Sequence, residues 1–113
     1  MVSGLRKPGA AIKEELTAED VDLLHMAIGV CGEAGELIDA VKKSVVYRKP
    51  LDLANMKEEL GDLEFYMEGI RQITGISRDD ALTANLAKLQ KRYPGYNYSN
   101  ARAVERADKE PGG

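Results

Sequence analysis

The sequence predicts an all-α protein, a helical bundle, and two observations support this. Apolar residues recur at intervals of three and four over long stretches, which is the spacing of amphipathic helices. No stretch alternates apolar and polar residues over a useful length, so nothing indicates a strand. A chain of 113 residues has room for one domain with a thin core, which favours self-association. We therefore expect an oligomeric all-α bundle.

Three long helices are expected, because capping and breaking residues bound the apolar patterns. The first begins at Thr17, where Thr-Ala-Glu-Asp resembles a capping box, and its apolar spacing persists to about Tyr47. The second begins near Asp52 and ends at Gly75. The expected bounds of the third helix are Ser77 and Pro94, and a short fourth helix is expected over residues 100–107.

The predicted organisation is a single helical domain between two irregular ends. Residues 1–16 are expected to form a flexible N-terminal segment, since residues 1–10 hold two glycines and a proline with little apolar periodicity. The helical domain is expected over residues 17–106. Residues 107–113 are charged, close on Pro-Gly-Gly and are expected to form a disordered tail.

Composition excludes several classes of function. The formal net charge is −3 and no long basic run is present, which argues against a nucleic-acid binder. Neither a signal peptide nor an apolar run long enough to span a bilayer is found, so no membrane partner is expected. The one cysteine, Cys31, lies in an apolar helical stretch, which predicts a packing residue in a reduced, cytoplasmic protein.

Two acidic residues of the second helix depart from its amphipathic pattern. Glu59 falls inside the apolar arc and Asp62 at its border, whereas Glu58 stays on the polar side. A carboxylate that faces a core is costly unless it is protonated, hydrogen-bonded or bound to a cation. Glu59 and Asp62 are therefore predicted to have a partner.

A second acidic pair lies at the edge of the apolar arc of the first helix. Glu33 and Glu36 are three positions apart, as are Glu59 and Asp62, and this spacing places both side chains of a pair on one face. Small residues flank the pair on the first helix: Gly29, Gly32, Gly35 and Ala40. Because glycine destabilises a helix interior, these positions are expected to need space or close backbone approach.

Four acids from two antiparallel helices would make an all-oxygen site. Such a site suits Mg²⁺, or Mn²⁺ as a substitute, and not zinc, and these ions commonly hold substrate phosphates. The alternative is that these acids are ordinary solvated helix residues, in a chain with 19 acidic residues.

Two motifs resemble those of a known family. Residues 32–37 read Gly-Glu-Ala-Gly-Glu-Leu and residues 58–63 read Glu-Glu-Leu-Gly-Asp-Leu, similar to the E-x-x-E and E-x-x-D pair of the MazG-like all-α NTP pyrophosphohydrolases. The segments 85–89 and 92–95 resemble the third-helix signature of the short phage and bacterial members. The resemblance covers roughly residues 23–106.

The resemblance implies hydrolysis of a nucleoside triphosphate to a monophosphate and pyrophosphate. It implies that Glu33, Glu36, Glu59 and Asp62 bind Mg²⁺, with Glu36 and Glu59 as the catalytic carboxylates and Glu36 as a candidate proton acceptor. The residues it implies for substrate binding are Tyr66, Asn85, Lys88 and Arg92. For Tyr66 core packing is an equal alternative, and for the other three a solvated polar stripe remains an alternative.

The oligomeric state, the substrate and the functional class each have alternatives. The family resemblance implies a homodimer or homotetramer, and the nearly all-round apolar character of residues 23–31 independently favours self-association. The substrate class could instead be dUTP or phosphoribosyl-ATP. A non-catalytic interaction module of the same fold is the alternative from another functional class.

Overall fold

The computed structural model describes residues 1–96, which are helical and contain no strand. The described residues divide into two compact units, the first over residues 1–75 and the second beginning at Ile76. The all-α class expected from the sequence is confirmed over the described residues, whereas the short fourth helix expected over residues 100–107 lies outside them.

The first unit opens with a helix that the sequence pattern did not predict. A 3-10 turn over Val2–Leu5 precedes helix α1, Gly9–Glu15. Helix α1 follows Pro8 and is rich in strong helix formers, although it is too short to show apolar periodicity. Both elements are almost wholly exposed.

Helix α2, Ala18–Val45, begins at the predicted cap. The Asp20 amide donates to Thr17 Oγ1 at 3.1 Å, and the Thr17 amide donates to Asp20 Oδ2 at 3.0 Å, so the capping box is formed. The helix ends two residues before Tyr47. Arg48 then adopts a left-handed conformation (φ 57°) in the connection to the next helix.

Helix α3, Leu53–Thr74, also has the predicted ends. The Asp52 side chain accepts the Asn55 amide at 3.0 Å at the N-terminus. At the C-terminus Gly75 has φ 74°, in the left-handed region that favours glycine. Both termini of α3 therefore follow from local sequence chemistry.

Helices α2 and α3 form an antiparallel hairpin. Gly29 lies against the ring of Tyr66, and Gly69 lies against the side chain of Met26, so early positions of α2 meet late positions of α3. These glycines let the two backbones approach closely. Of the small residues predicted to serve this purpose, Gly29 does so, whereas a Cβ on Gly32 or Gly35 would meet nothing within 4 Å.

The second unit contains helix α4, Arg78–Arg92. Its capping box is formed as predicted, with the Asp80 amide donating to Ser77 Oγ at 3.0 Å. Residues Pro94–Tyr96 form a short turn in which Gly95 has φ 70°. Over the described residues, none of the helices is long and apolar enough to cross a membrane.

One packing expectation is wrong. Cys31 was predicted to be a packing residue, but it is exposed in the single chain. The reason is that α2 is apolar on more than the face that α3 covers, and Cys31 lies on the uncovered side.

Candidate active site

Three of the four predicted carboxylates converge where α2 and α3 pack. Glu33 of α2, with Glu59 and Asp62 of α3, each offers a carboxylate oxygen, and these oxygens lie within 4.8 Å of one another. Glu59 is buried with 7% of its surface exposed, Glu33 is half-buried and Asp62 is exposed. The group therefore runs from the helix interface out to solvent. We call these three residues, together with Glu36, the acidic cluster.

Glu36 belongs to the acidic cluster through its effect on Glu59. It lies one turn beyond Glu33 on α2 and is exposed. The pKa of Glu59 is raised from 4.5 to about 7, first by the neighbouring Glu33 carboxyl, then by burial and by the Glu36 carboxyl. The structure thus brings Glu33, Glu59 and Asp62 together, with Glu36 near enough to interact with Glu59.

Two oxygens in the acidic cluster have no protein partner. Glu33 Oε2 and Glu59 Oε2 are buried and lack a hydrogen bond within the described part of the chain. A buried carboxylate oxygen without a partner is unfavourable unless a proton or a cation satisfies it. All the potential metal ligands in the acidic cluster are carboxylate oxygens, which hard divalent cations prefer. The residues therefore fit a divalent metal ion.

Acids on the outer face of α3 behave differently. Arg71 Nε donates to Glu68 at 2.8 Å, and its Nη2 donates to Glu64 at 3.4 Å. The Arg71 guanidinium lowers the pKa of Glu68, the opposite of the shift at Glu59. Glu64 and Glu68 are thus paired with a cation from the chain, whereas the buried oxygens of the acidic cluster are not.

Tyr66 occupies the helix interface one turn after Asp62. Its ring lies against Gly29, at 2.2 to 2.5 Å from the position that a Cβ on Gly29 would take. The Tyr66 ring centroid is 5.3 Å from that of Phe65 and 6.5 Å from that of the exposed His25. The ring therefore has a packing function, and a role towards substrate stays a prediction.

The three remaining predicted site residues lie on α4 in the second unit. Asn85 and Lys88 are exposed, and Arg92, in the last turn, is half-buried and already engaged in an interaction. Their spacing places them along one stripe of α4, as expected. Their role as substrate ligands stays a prediction.

Gly69 has a packing role that the sequence pattern did not indicate. A Cβ at this position would lie 2.4 Å from Met26 Sδ, so the glycine provides the room that Met26 occupies. Its role could have been predicted from its position three residues after Tyr66, on the side of α3 that meets α2.

Comparison with known proteins gives one match. The family model of the MazG nucleotide pyrophosphohydrolase domain matches residues 21–96. The matched region begins in α2 and includes the whole acidic cluster, α3 and α4. No curated protein and no solved structure matches the chain significantly.

Proposed function

The chain belongs to the MazG nucleotide pyrophosphohydrolase domain family, and from this premise we propose that it hydrolyses nucleoside triphosphates to nucleoside monophosphates and pyrophosphate in a Mg²⁺-dependent reaction. The observation that carries the proposal is the acidic cluster, in which two buried carboxylate oxygens lack a protein partner. A triphosphate brings several negative charges to this site, so a cation must accompany it.

Mg²⁺ is the proposed cation, with Mn²⁺ as a substitute. Glu33, Glu59 and Asp62 would hold it, and Glu36 would complete the set from the exposed side. When bound, the ion neutralises phosphate charge and makes water more acidic. The chain's own contribution is to fix four carboxylates on two rigid helices, so that they need little rearrangement during the reaction.

The proposed chemistry is attack of water on the α-phosphorus. A bond forms between the water oxygen and the α-phosphorus, the bond to the bridging oxygen of the β-phosphate breaks, and pyrophosphate leaves. Glu36 accepts the proton that the attacking water loses, a role that suits an exposed carboxylate at the edge of the acidic cluster. Glu59, the buried member, is the second catalytic carboxylate.

Substrate recognition is assigned to residues outside the acidic cluster. Asn85, Lys88 and Arg92 are proposed to contact phosphate or sugar oxygens, for which amide, ammonium and guanidinium groups are suitable donors. Tyr66 is proposed to lie near the nucleotide through its hydroxyl end, while its ring packs on Gly29. A reduced exposed Cys31 is consistent with action in the cytoplasm.

The test is a product analysis with each common NTP and dNTP in the presence of Mg²⁺. Monophosphate and pyrophosphate are expected, and Glu59→Gln should abolish their formation. The matched control is Glu58→Gln, which changes the neighbouring exposed acid in the same way and should retain activity. Ranking the substrates also addresses the alternatives dUTP and phosphoribosyl-ATP, which should be added to the panel.

Two outcomes contradict the proposal. Diphosphate and orthophosphate as products would mean that cleavage occurs between the β- and γ-phosphates. Absence of turnover with Mg²⁺ and with Mn²⁺, together with a melting temperature that neither ion nor nucleotide changes, would favour a non-catalytic interaction module.

A further inference from the structure

A polar cavity of about 240 Å³ continues the groove between α2 and α3 beyond the acidic cluster. Its lining comes from the end of α2, the connection and the start of α3: Ala40, Lys43, Lys49, Pro50, Asp52 and Asn55. Ala40 follows Glu36 by four residues. Asn55 precedes Glu59 by the same number. The cavity therefore begins one helical turn, roughly 6 Å, from the acidic cluster, and we call it the lysine cavity.

The lysine cavity lies at the positively charged end of the hairpin. Residues 42–49 hold four basic residues and no acidic residue, although the whole chain has a net charge of −3. Lys43 pairs with Asp39 at 3.2 Å, but both side chains are more than half exposed, and an exposed pair of this kind is weak. Asp52, the acid in the lining, already accepts the Asn55 amide at the start of α3. Two lysines and the positive end of a helix dipole therefore favour an anion in this cavity.

The backbone of the connection brings the two lysines to one cavity. The Lys49 amide donates to the Lys43 carbonyl oxygen at 3.3 Å, which ties the connection to the last turn of α2. The residue before it, Arg48, has φ 57°, a conformation that is unfavourable for a residue with a Cβ. Strain of this kind persists where the surrounding structure or a function requires it. Here it accompanies the turn that places Lys49 beside Lys43.

The groove has a different character on the other side of the acidic cluster. Tyr66 follows Asp62 by four residues, which is one turn in the direction away from the lysine cavity. The Tyr66 ring centroid lies 5.3 Å from that of Phe65 and 6.5 Å from that of His25. Phe65 is 65% exposed and His25 is also exposed, so both rings are accessible. Aromatic rings suit the flat face of a base, whereas ammonium groups suit phosphate.

We propose that the lysine cavity binds the two terminal phosphates of the triphosphate, so that the nucleotide lies along the groove with its base on the side of Tyr66. This inference rests on the proposed function and adds the direction in which the substrate binds. The α-phosphate lies at the acidic cluster, and the leaving pyrophosphate extends one turn towards Lys43 and Lys49.

The size and charge of the lysine cavity suit this part of the substrate. Pockets for whole ligands typically enclose ~300–1,000 Å³, so a smaller cavity fits a portion of a ligand. When the bond between the α-phosphorus and the bridging oxygen breaks, negative charge accumulates on the leaving pyrophosphate. The ammonium groups of Lys43 and Lys49 stabilise that charge.

The test measures the binding of inorganic pyrophosphate and of a nucleoside monophosphate separately, by calorimetry of the full chain with Mg²⁺. Lys43→Gln and Lys49→Gln should each weaken pyrophosphate binding at least roughly 10-fold and change monophosphate binding by less than about 2-fold. Lys49→Arg keeps the charge and should retain most of the pyrophosphate affinity. Circular dichroism checks that each variant keeps its helices.

The matched control is Lys42→Gln. It removes the same charge from the neighbouring position, but the Lys42 ammonium lies 5.8 Å from the centroid of the Tyr47 ring and does not line the lysine cavity. Both affinities should stay unchanged in this variant. An equal loss of pyrophosphate binding in Lys42→Gln would reveal a general effect of charge and overturn the proposal.

Other results also overturn the proposal. Weaker monophosphate binding in the Lys43 and Lys49 variants, alone or to the same degree as pyrophosphate, would mean that the nucleotide lies differently. Unchanged affinities, or no pyrophosphate binding by the unmodified chain, would mean that the lysine cavity holds no part of the substrate. The proposed function fails separately, since a chain without turnover can bind pyrophosphate through these lysines, and an active chain can be insensitive to their substitution.

Discussion

Glu33 and Glu59 extend from neighbouring helices to the same point, and the Glu33 carboxyl is the largest cause of the raised pKa of Glu59. Each residue also has one buried oxygen without a hydrogen-bond partner. The two carboxyls therefore cannot both be charged at low cost without a cation. This relationship links the stability of the protein to pH and to metal.

The metal-free protein should become less stable as pH rises towards neutrality. The folded chain holds the Glu59 proton up to about pH 7, whereas the unfolded chain releases it near 4.5. Between these values the folded state binds more protons, so the free energy of unfolding decreases as pH rises. In the presence of EDTA, the melting temperature should fall between about pH 4.5 and about pH 7.

The source of this pH dependence can be checked by substitution. Glu59→Gln removes the titrating carboxyl, so the fall in melting temperature over that interval should be smaller than in the unmodified chain. Glu58→Gln, which changes an exposed neighbour, should leave the fall intact. An equal pH dependence in all three proteins would show that other groups cause it.

Glu59→Gln should also separate stability from function. At about pH 8 without metal, the variant should melt at a higher temperature than the unmodified chain, because a neutral amide removes repulsion from Glu33 and Glu36. Saturating Mg²⁺ should raise the melting temperature of the unmodified chain but not of the variant. Turnover should fall by at least roughly 100-fold. A variant that is stabilised by Mg²⁺ as strongly as the unmodified chain would mean that Glu59 does not bind the ion.

Gly29→Ala should destabilise the hairpin. The added Cβ would lie 2.2 Å from the Tyr66 ring, so the ring or the helices must move. We expect a loss of about 1–3 kcal/mol in the free energy of unfolding, despite the higher helix propensity of alanine. Gly61→Ala is the matched control, since a Cβ there meets nothing within 4 Å. The free energy of unfolding of that variant, measured by denaturant titration, should rise by about 0.5–1 kcal/mol.

The helix boundaries could be predicted because their causes are local. Thr17 and Ser77 each start a helix through a capping box with the acidic residue three positions later, and Gly75 ends α3 in a left-handed conformation. The burial of Glu59 could also be predicted, since a single helix shows which residues share a face. The acidic cluster then followed from two acid pairs with the same spacing.

Other features depend on which residues of another helix each side chain contacts. The apolar pattern of a single helix cannot predict these contacts. The apolar pattern of α2 could not show which of its faces meets α3, so Cys31 was predicted to be a packing residue although it is exposed. The glycines of α2 looked equivalent in sequence, but only Gly29 faces an aromatic ring, while Gly32 and Gly35 face open space. Helix α1 is too short for a periodicity argument.

Tyr66 allows the packing role and the substrate role to be separated. Its ring packs against Gly29 and beside Phe65, so Tyr66→Ala should lower the free energy of unfolding by roughly 2–4 kcal/mol. Tyr66→Phe keeps the ring and removes only the hydroxyl, and should change stability by less than about 0.5 kcal/mol. If the hydroxyl contacts the nucleotide, Tyr66→Phe raises KM several-fold while the melting temperature is unchanged. Kinetics indistinguishable from those of the unmodified chain would leave Tyr66 with packing as its only role.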